Sequence, residues 1–125
     1  MDLLRIFSGW KDVVEFGPKS VIFKQGEPAE FLYVIIAGEV ELNLRGETIG
    51  IEGVGGIIGE SAITSSATRT ATATALGDVK LARLTSYQLN MLMTKSTEFS
   101  LHVMAILADR LRAVNHYIDV HLDSA

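Results

Sequence analysis

The sequence contains no cysteine, only two prolines and no long apolar run. The absence of cysteine excludes disulfides, thiolate catalysis, iron–sulfur clusters and zinc-cysteine sites. The longest apolar runs, such as residues 32–37, fall far short of the roughly 20 residues that a membrane-spanning helix needs. The first residues, MDLLRIFSGW, show no signal-peptide pattern. We therefore expect a cytoplasmic protein that makes no membrane contact.

Positive charge is also scarce in this chain. It has 11 lysines and arginines against 15 aspartates and glutamates, a net charge of −4. No basic cluster is longer than Arg110-Leu-Arg112. Because contacts to phosphates dominate the affinity for nucleic acids, we expect that this segment contacts no nucleic acid.

The side chains that enzymes use for catalysis form no recognisable group. The three histidines, His102, His116 and His121, all fall in the last predicted helix, where their spacing does not place them on one face for metal binding. A cupin-type enzyme needs histidines inside its β-roll, and the predicted strands contain none. We find no nucleophile beside a base, so we predict a binding module rather than an enzyme, with no metal and no cofactor.

The pattern of residues predicts one domain, residues 1–125, in three zones. Residues 1–18 form a lead-in, residues 19–84 are β-structure and residues 85–122 are helical. We predict strands within residues 20–24, three strands across 32–51, and two more at 69–76 and 78–84. Ala37-Gly38 and Arg45-Gly46 are typical of two-residue hairpins. Many short alternating strands favour an antiparallel β-roll or sandwich.

The helical zone divides in two. Thr85-Ser86-Tyr87-Gln88 is a capping-box pattern at the start of the first helix. A break near residues 95–97 precedes a second helix, which we expect to begin at Glu98 with Thr97 as its cap.

The last helix carries a seam at heptad spacing, made of Met104, Ala108, Leu111, Asn115, Ile118 and Leu122. A polar Asn at one seam position is known to set the register of a two-stranded coiled coil. We therefore expect a homodimer through the C-terminal helix. The alternative is that the seam packs on the roll of its own chain.

Residues 58–72, IGESAITSSATRTAT, contain one acid, Glu60, and one base, Arg69. Extended, the chain between them would span up to about 30 Å, so they serve one small ligand only if the chain folds back. Arg69 supplies a fork that matches phosphate oxygens, and Glu60 accepts from a hydroxyl. A turn of helix after Gly59 would offer free N–H groups to an anion. The alternative is that Glu60 and Arg69 form a surface salt bridge or cap a turn.

The order of GESAI at residues 59–63 and RTAT at 69–72 resembles the phosphate-binding cassette of cyclic nucleotide-binding domains. These domains occur in catabolite activator proteins, in the regulatory parts of protein kinases A and G, and in ion channels. Residues 21–42, VIFKQGEPAEFLYVIIAGEVEL, resemble the first strands of that family, with Gly26 and Gly38 in place. The resemblance implies an antiparallel β-roll of jelly-roll type with a short N-terminal helix, a cassette helix within 58–71 and two C-terminal helices, the B and C helices.

The resemblance also implies roles for individual residues. Gly59 and Glu60 would hold the ribose, with Glu60 accepting from the 2′-hydroxyl. The amides of Ser61 and Ala62 and the guanidinium of Arg69 would hold the cyclic phosphate. Thr70 would lie beside the phosphate and could reach a guanine base. Asn115 would contact the base across a dimer, although it is equally suited to setting dimer register.

The sequence departs from the family pattern at three positions: Ile58 replaces a Phe, Ser61 a larger apolar residue and Thr68 a Pro. None of these removes a charge that would contact the ligand. The resemblance implies a sensor that binds cAMP more readily than cGMP and passes occupancy to the helix beginning near Glu98. Two alternatives remain: a dimerisation module with a vestigial pocket, and a sensor of another small effector. The sequence does not distinguish a free-standing sensor from part of a larger protein.

Overall fold

The computed structural model describes residues 3–63 and 68–123. Their elements, in chain order, are α1 (Leu3–Ile6), β1 (Val13–Phe16), β2 (Val21–Phe23), β3 (Leu32–Ala37), β4 (Val40–Leu44), β5 (Glu47–Glu52), β6 (Ile57–Ile58), a 3₁₀ helix (Glu60–Ile63), β7 (Thr72–Ala75), β8 (Val79–Leu84), α2 (Ser86–Lys95) and α3 (Thr97–Asp123).

The strands form two antiparallel four-stranded sheets. One has the order β1-β8-β3-β6 and the other β2-β7-β4-β5. A core of buried side chains from both sheets fills the space between them, including Ile35 and Leu81 from the first sheet and Val40, Leu42 and Ala73 from the second. The predicted β-roll with flanking helices is therefore confirmed.

Two strands and one hairpin differ from the prediction. The strand β1 lies inside the predicted lead-in and pairs along β8, and β6 contains only two residues. Neither has enough alternation to be recognised alone, so each is defined by its partner strand. The hairpin predicted at Ala37-Gly38 is wrong because β3 and β4 belong to different sheets. Gly38 instead has a φ of 88°, and a Cβ there would overlap the carbonyl oxygen of Asp78.

The second predicted hairpin is confirmed. Arg45 and Gly46 have φ values of 51° and 90° between β4 and β5. The two strands pair directly across this turn, with Leu44 opposite Glu47. Two positive φ values in succession are what a type I′ turn requires.

The first cap is confirmed and the second is displaced by one residue. The Thr85 hydroxyl accepts from the amide of Gln88, whose side chain accepts from the amide of Thr85. For α3 the cap is Ser96 rather than Thr97, because the Ser96 hydroxyl accepts from the amide of Phe99 at 3.1 Å.

A second core fixes α3 against the first sheet. Phe99 and Val103 are buried there together with Leu32, Ile57 and Leu84. Among the described residues, no helix is both long enough and apolar enough to cross a membrane.

The predicted seam lies on the face of α3 that points away from this core. Met104 and Leu111 are 60% and 61% exposed, and Ile118 and Leu122 are exposed as well. The alternative that the seam packs on the roll of its own chain is therefore wrong.

Candidate ligand-binding site

A cavity of about 190 Å³ lies between the second sheet, the 3₁₀ helix and α3. The apolar part of its wall comes from β2, β4, β5, the residue before β7 and α3, through Phe23, Leu42, Leu44, Ile49, Ala71 and Val114. The remaining wall comes from the predicted cassette and from α3, through Gly59, Glu60, Ser61, Thr70 and Arg110. The fold therefore encloses one space that is apolar on some sides and polar or charged on others.

Gly59 allows the two predicted halves of the cassette to meet. It follows the buried residues of β6 with a φ of 75°, and a Cβ at this position would lie 2.6 Å from Nη1 of Arg69. Its carbonyl oxygen accepts from the Ala62 amide at 3.1 Å and from Arg69 Nη1 at 3.2 Å. A side chain at position 59 would separate the 3₁₀ helix from Arg69 and would also impose a left-handed backbone on an L residue.

Arg69 is held by the backbone of the turn between β2 and β3. Its amide donates to the carbonyl oxygen of Glu27 at 2.7 Å, and its own carbonyl oxygen accepts from the Gly26 amide at 2.8 Å. These bonds divert residues 69–71 from the strand that we predicted there, so that β7 begins at Thr72.

The guanidinium of Arg69 is a buried cation without a complete set of partners. The residue is 5% exposed, and its guanidinium carbon lies 4.2 Å from the centre of the Phe23 ring. Its Nε atom, also buried, has no hydrogen-bond partner among the residues that the structure describes. Burial lowers the pKa of Arg69 from its ordinary value, and the neighbouring Tyr33, Glu27 and Glu60 oppose that shift. Because arginine stays protonated in proteins, the result is a desolvated positive charge at the cassette.

Glu60 does not pair with Arg69. Its Oε1 accepts from Nη1 of Arg110 on α3 at 2.5 Å. The other terminal nitrogen of Arg110, Nη2, donates to Ile57 O at 2.7 Å and to Glu52 Oε1 at 3.2 Å. The alternative of a surface salt bridge between Glu60 and Arg69 is therefore wrong.

Arg110 is the residue that sequence reasoning missed. In the sequence it stands out only as a member of the short basic pair Arg110-Leu-Arg112. A usable signal was its position, because Phe99, Val103 and Arg110 follow each other at helical spacing along the face of α3 that is buried on the roll. A charged residue in line with a buried stripe must find partners on the surface it faces.

The predicted site residues fall into three groups. Gly59, Glu60, Ser61 and Thr70 line the cavity, whereas Arg69 and Ala62 lie buried just behind it. The Ala62 amide is occupied by its bond to Gly59. Asn115 is exposed on α3 and is not part of the cavity wall of its own chain, where the adjacent Val114 takes that place.

A second cavity of about 290 Å³ continues from the first toward the exposed face of α3. The two share Glu60, Ser61, Thr70, Arg110 and Val114, and the second adds Leu107 and Leu111. Leu111 belongs to the predicted seam, so the candidate site and the seam lie next to each other.

Comparison with known proteins identifies relatives. The family model described as cyclic nucleotide-binding domain matches residues 13–96. The CRP-like cAMP-activated global transcriptional regulator of Mycobacterium tuberculosis is 30% identical over 108 residues, which cover 82% of this chain and 48% of that protein. The cGMP-dependent protein kinase egl-4 of Caenorhabditis briggsae is 40% identical over 60 residues, covering 48% of this chain and 8% of the kinase.

Among solved structures, the catabolite activator protein of Thermus thermophilus has the same fold. It superposes with a TM-score of 0.72 at 24% identity, covering 94% of this chain and 57% of that one. The chain spans about half the length of the Mycobacterium regulator, or 48% of it.

Proposed function

The chain belongs to the family of cyclic nucleotide-binding domains, and from this premise we propose that it is a regulatory sensor that binds a cyclic nucleoside monophosphate, with cAMP preferred to cGMP. The cavity between the cassette and α3 is the proposed site. The proposed activity is binding, with no chemical step.

The observation that carries this proposal is the buried Nε of Arg69. A buried donor without a partner costs free energy, and more so when the group is charged. An anion at the cassette would satisfy this donor and would neutralise the desolvated guanidinium. The cyclic phosphate is the anionic part of the ligand, and Gly59 brings the 3₁₀ helix close to the same guanidinium.

The ribose would be held by Glu60. An ionised carboxylate can accept several hydrogen bonds, so the contact with Arg110 does not exhaust its capacity. Arg110 instead holds the carboxylate at the wall of the cavity, where it can accept from a 2′-hydroxyl. Thr70, also on the wall, offers a hydroxyl beside the phosphate.

The base would lie against the apolar wall. Leu42, Leu44, Ile49 and Val114 offer it contact area without hydrogen bonds. The preference for cAMP is supported by the Mycobacterium regulator, which is named as cAMP-activated and aligns with 82% of the chain. Asn115 would contact the base from the second chain of a dimer.

The same arrangement supplies a route for transmission. The ligand would contact Glu60, and Glu60 is bonded to Arg110 in the middle of α3. A change in the position of the carboxylate therefore shifts the contacts of α3 on the roll. We expect binding to favour one of two positions of this helix that are already in equilibrium.

The experiment is calorimetric titration of the purified chain with cAMP and with cGMP. We expect affinity for cAMP to fall about 30- to 1,000-fold in Arg69→Ala, the range expected for loss of a charge-assisted contact. The matched control is Arg112→Ala, because Arg112 is 72% exposed and lies outside the cavity. A folded wild-type chain that gives no heat with either nucleotide contradicts the proposal and leaves the dimerisation module, or a sensor of another effector, in its place.

A further inference from the structure

Arg110 is shared between two carboxylates. Its Nη1 bonds to Glu60, and its Nη2 bonds to Glu52 and to the carbonyl oxygen of Ile57. The Arg110 side chain is 11% exposed, and the side chains of Glu52 and Glu60 are 28% and 21% exposed. Glu60 lines the cavity, whereas Glu52 is absent from its wall. Glu52 is therefore not placed to contact a ligand in the cavity directly, and its bond to Arg110 is what links it to Glu60.

The backbone that follows Glu52 is fixed by hydrogen bonds. It is the last residue of β5, and the turn that follows is closed by hydrogen bonds from the Gly56 amide to Gly53 O and from the Gly55 amide to Ile35 O, each 2.9 Å long. The turn is also tied to α3, because Nε2 of His102 lies 2.7 Å from Gly55 O.

Gly56, in the same turn, leaves room for the Glu52 side chain. A Cβ on Gly56 would lie 3.0 Å from Glu52 Oε2 and 3.1 Å from Glu52 Cβ. The carboxylate that faces Arg110 therefore rests closely over the backbone of Gly56, and its position is set by the turn.

We propose that Glu52 is a positioning residue for the ribose contact. It holds Nη2 of Arg110 against the end of β5, and this fixes the direction in which Nη1 meets Glu60. Glu60 then presents its carboxylate to a 2′-hydroxyl without having to search among rotamers, which lowers the entropy cost of binding. This inference rests on the proposed function, because it concerns the affinity of the same site.

For the removal of Glu52, the proposal predicts a change in ligand affinity opposite in sign to the change that its charge alone would cause. Glu52 is a negative charge near a site for an anion, so a purely electrostatic role means that its removal strengthens binding. A positioning role means that Glu52→Ala weakens binding, because Arg110 loses an anchor. Glu52→Gln separates the two, because the amide oxygen can still accept from Nη2 although the charge is gone.

The test is titration of four chains with cAMP and with 2′-deoxy-cAMP, which lacks the hydroxyl. We expect Glu52→Ala to bind cAMP about three- to tenfold more weakly than wild type, the range for one net hydrogen bond. Glu52→Gln should bind cAMP at least as tightly as wild type. Wild type, Glu52→Ala and Glu52→Gln should all bind 2′-deoxy-cAMP with the same affinity. The matched control is Glu41→Ala, an acidic residue of the neighbouring strand β4 that lies outside the cavity wall.

The outcomes separate the two proposals. If Glu52→Ala loses the same factor with both nucleotides, or binds more tightly, Glu52 does not act through Glu60 and the inference is overturned. A wild-type chain that binds neither cAMP nor cGMP overturns the proposed function instead. In that case, ¹⁵N NMR of the Arg110 guanidinium group in the ligand-free protein tests whether Glu52 holds Arg110 in place. Rotation of this group should be hindered in wild type and in Glu52→Gln and faster in Glu52→Ala, and equal rotation in all three contradicts the inference.

Discussion

Arg110 and Glu60 are bonded at 2.5 Å although they lie 50 positions apart in the chain. The bond joins the middle of the last helix to the first residue of the 3₁₀ helix, next to the cavity. The helix and the cassette therefore cannot move independently while this pair is intact. It is a direct polar link between the cassette and α3.

We expect Arg110→Met to destabilise the ligand-free protein by about 1–3 kcal/mol. The substitution keeps the volume of the side chain but leaves two partly buried carboxylates and the carbonyl oxygen of Ile57 without their donor. Urea denaturation followed by circular dichroism measures the change. Arg112→Met, at an exposed position of the same helix, should change the free energy of unfolding by less than about 0.5 kcal/mol. Equal effects at the two positions would show that the Glu60 contact adds no stability.

We expect Gly59→Ala to reduce both stability and affinity. The new Cβ would stand 2.6 Å from Nη1 of Arg69, on a backbone with a φ of 75°. A left-handed conformation alone costs an L residue about 1–2 kcal/mol, and displacement of Arg69 adds to that cost. Urea denaturation and calorimetric titration with cAMP measure the two effects. Gly17→Ala is the control, because its φ is not positive and, chain neighbours aside, no atom of the described residues lies within 4 Å of a Cβ there. A Gly59→Ala chain that behaves like this control would exclude the close approach of Arg69.

The exposed seam of α3 predicts a homodimer that Leu111→Glu disrupts. A charge at the centre of an apolar interface is desolvated without a partner, so the chain should sediment as a monomer in analytical ultracentrifugation. Met91→Glu, at an exposed apolar residue of α2, should leave the oligomeric state unchanged.

The same variants test the link between the seam and the cavity. Leu111 borders the second cavity beside Arg110, so Leu111→Glu should also change the affinity for cAMP. If Leu111→Glu and Ile118→Glu change neither the oligomeric state nor the affinity, the seam has no role in dimerisation or transmission.

We expect the contact between His121, near the end of α3, and Glu47 of the roll to depend on pH. Its Nδ1 lies 2.7 Å from Tyr117 O and its Nε2 lies 2.9 Å from Glu47 Oε1, so only the protonated ring can donate to both. The hydrogen bond to the Tyr117 carbonyl raises the pKa of His121, and Glu47 raises it further, whereas desolvation and the charge of Arg45 oppose the shift.

The sign of the pH effect follows from this raised pKa. The contribution of His121 to stability is fully present below its unfolded pKa of about 6.5 and is lost as the pH rises through the higher pKa of the folded state. Wild type should therefore exceed His121→Gln in stability under acidic conditions, and the difference should disappear above that pKa. Thermal unfolding across a pH series measures the difference, with His116→Gln as the control. A difference that grows with pH would contradict the assignment.

Local patterns were sufficient to predict much of the fold. The capping box at Thr85 and the hairpin at Arg45-Gly46 depend on bonds between residues a few positions apart, and a short stretch of sequence contains all of them. The cassette was predicted because its glycine, acid and base resemble, in their order, those of a known family. Strands without such signals were missed: β1 and β6 exist because β8 and β3 offer them backbone partners from distant parts of the chain.

The seam shows a partial success of the same kind. The heptad spacing of the seam is present in residues 104–122, but spacing alone left open whether the seam faces the roll or the solvent. Phe99 and Val103 decided this, because the helix can bury only one face on the first sheet. The cap at Ser96 rather than Thr97 is a smaller example, since two adjacent hydroxyl residues compete and only one has the geometry to accept from Phe99.

The sequence by itself determined the roll, because alternation, glycine and turn chemistry act over a few residues, and its resemblance to a known family pointed to the cassette and its two charged residues. Only the tertiary structure decided which charges meet. Arg69 is diverted by backbone bonds to residues 26 and 27 and becomes buried, whereas Glu60 pairs with Arg110, which α3 carries to it from 50 positions away. That pairing depends on the packing of an entire helix on a sheet, and no local pattern contains the information.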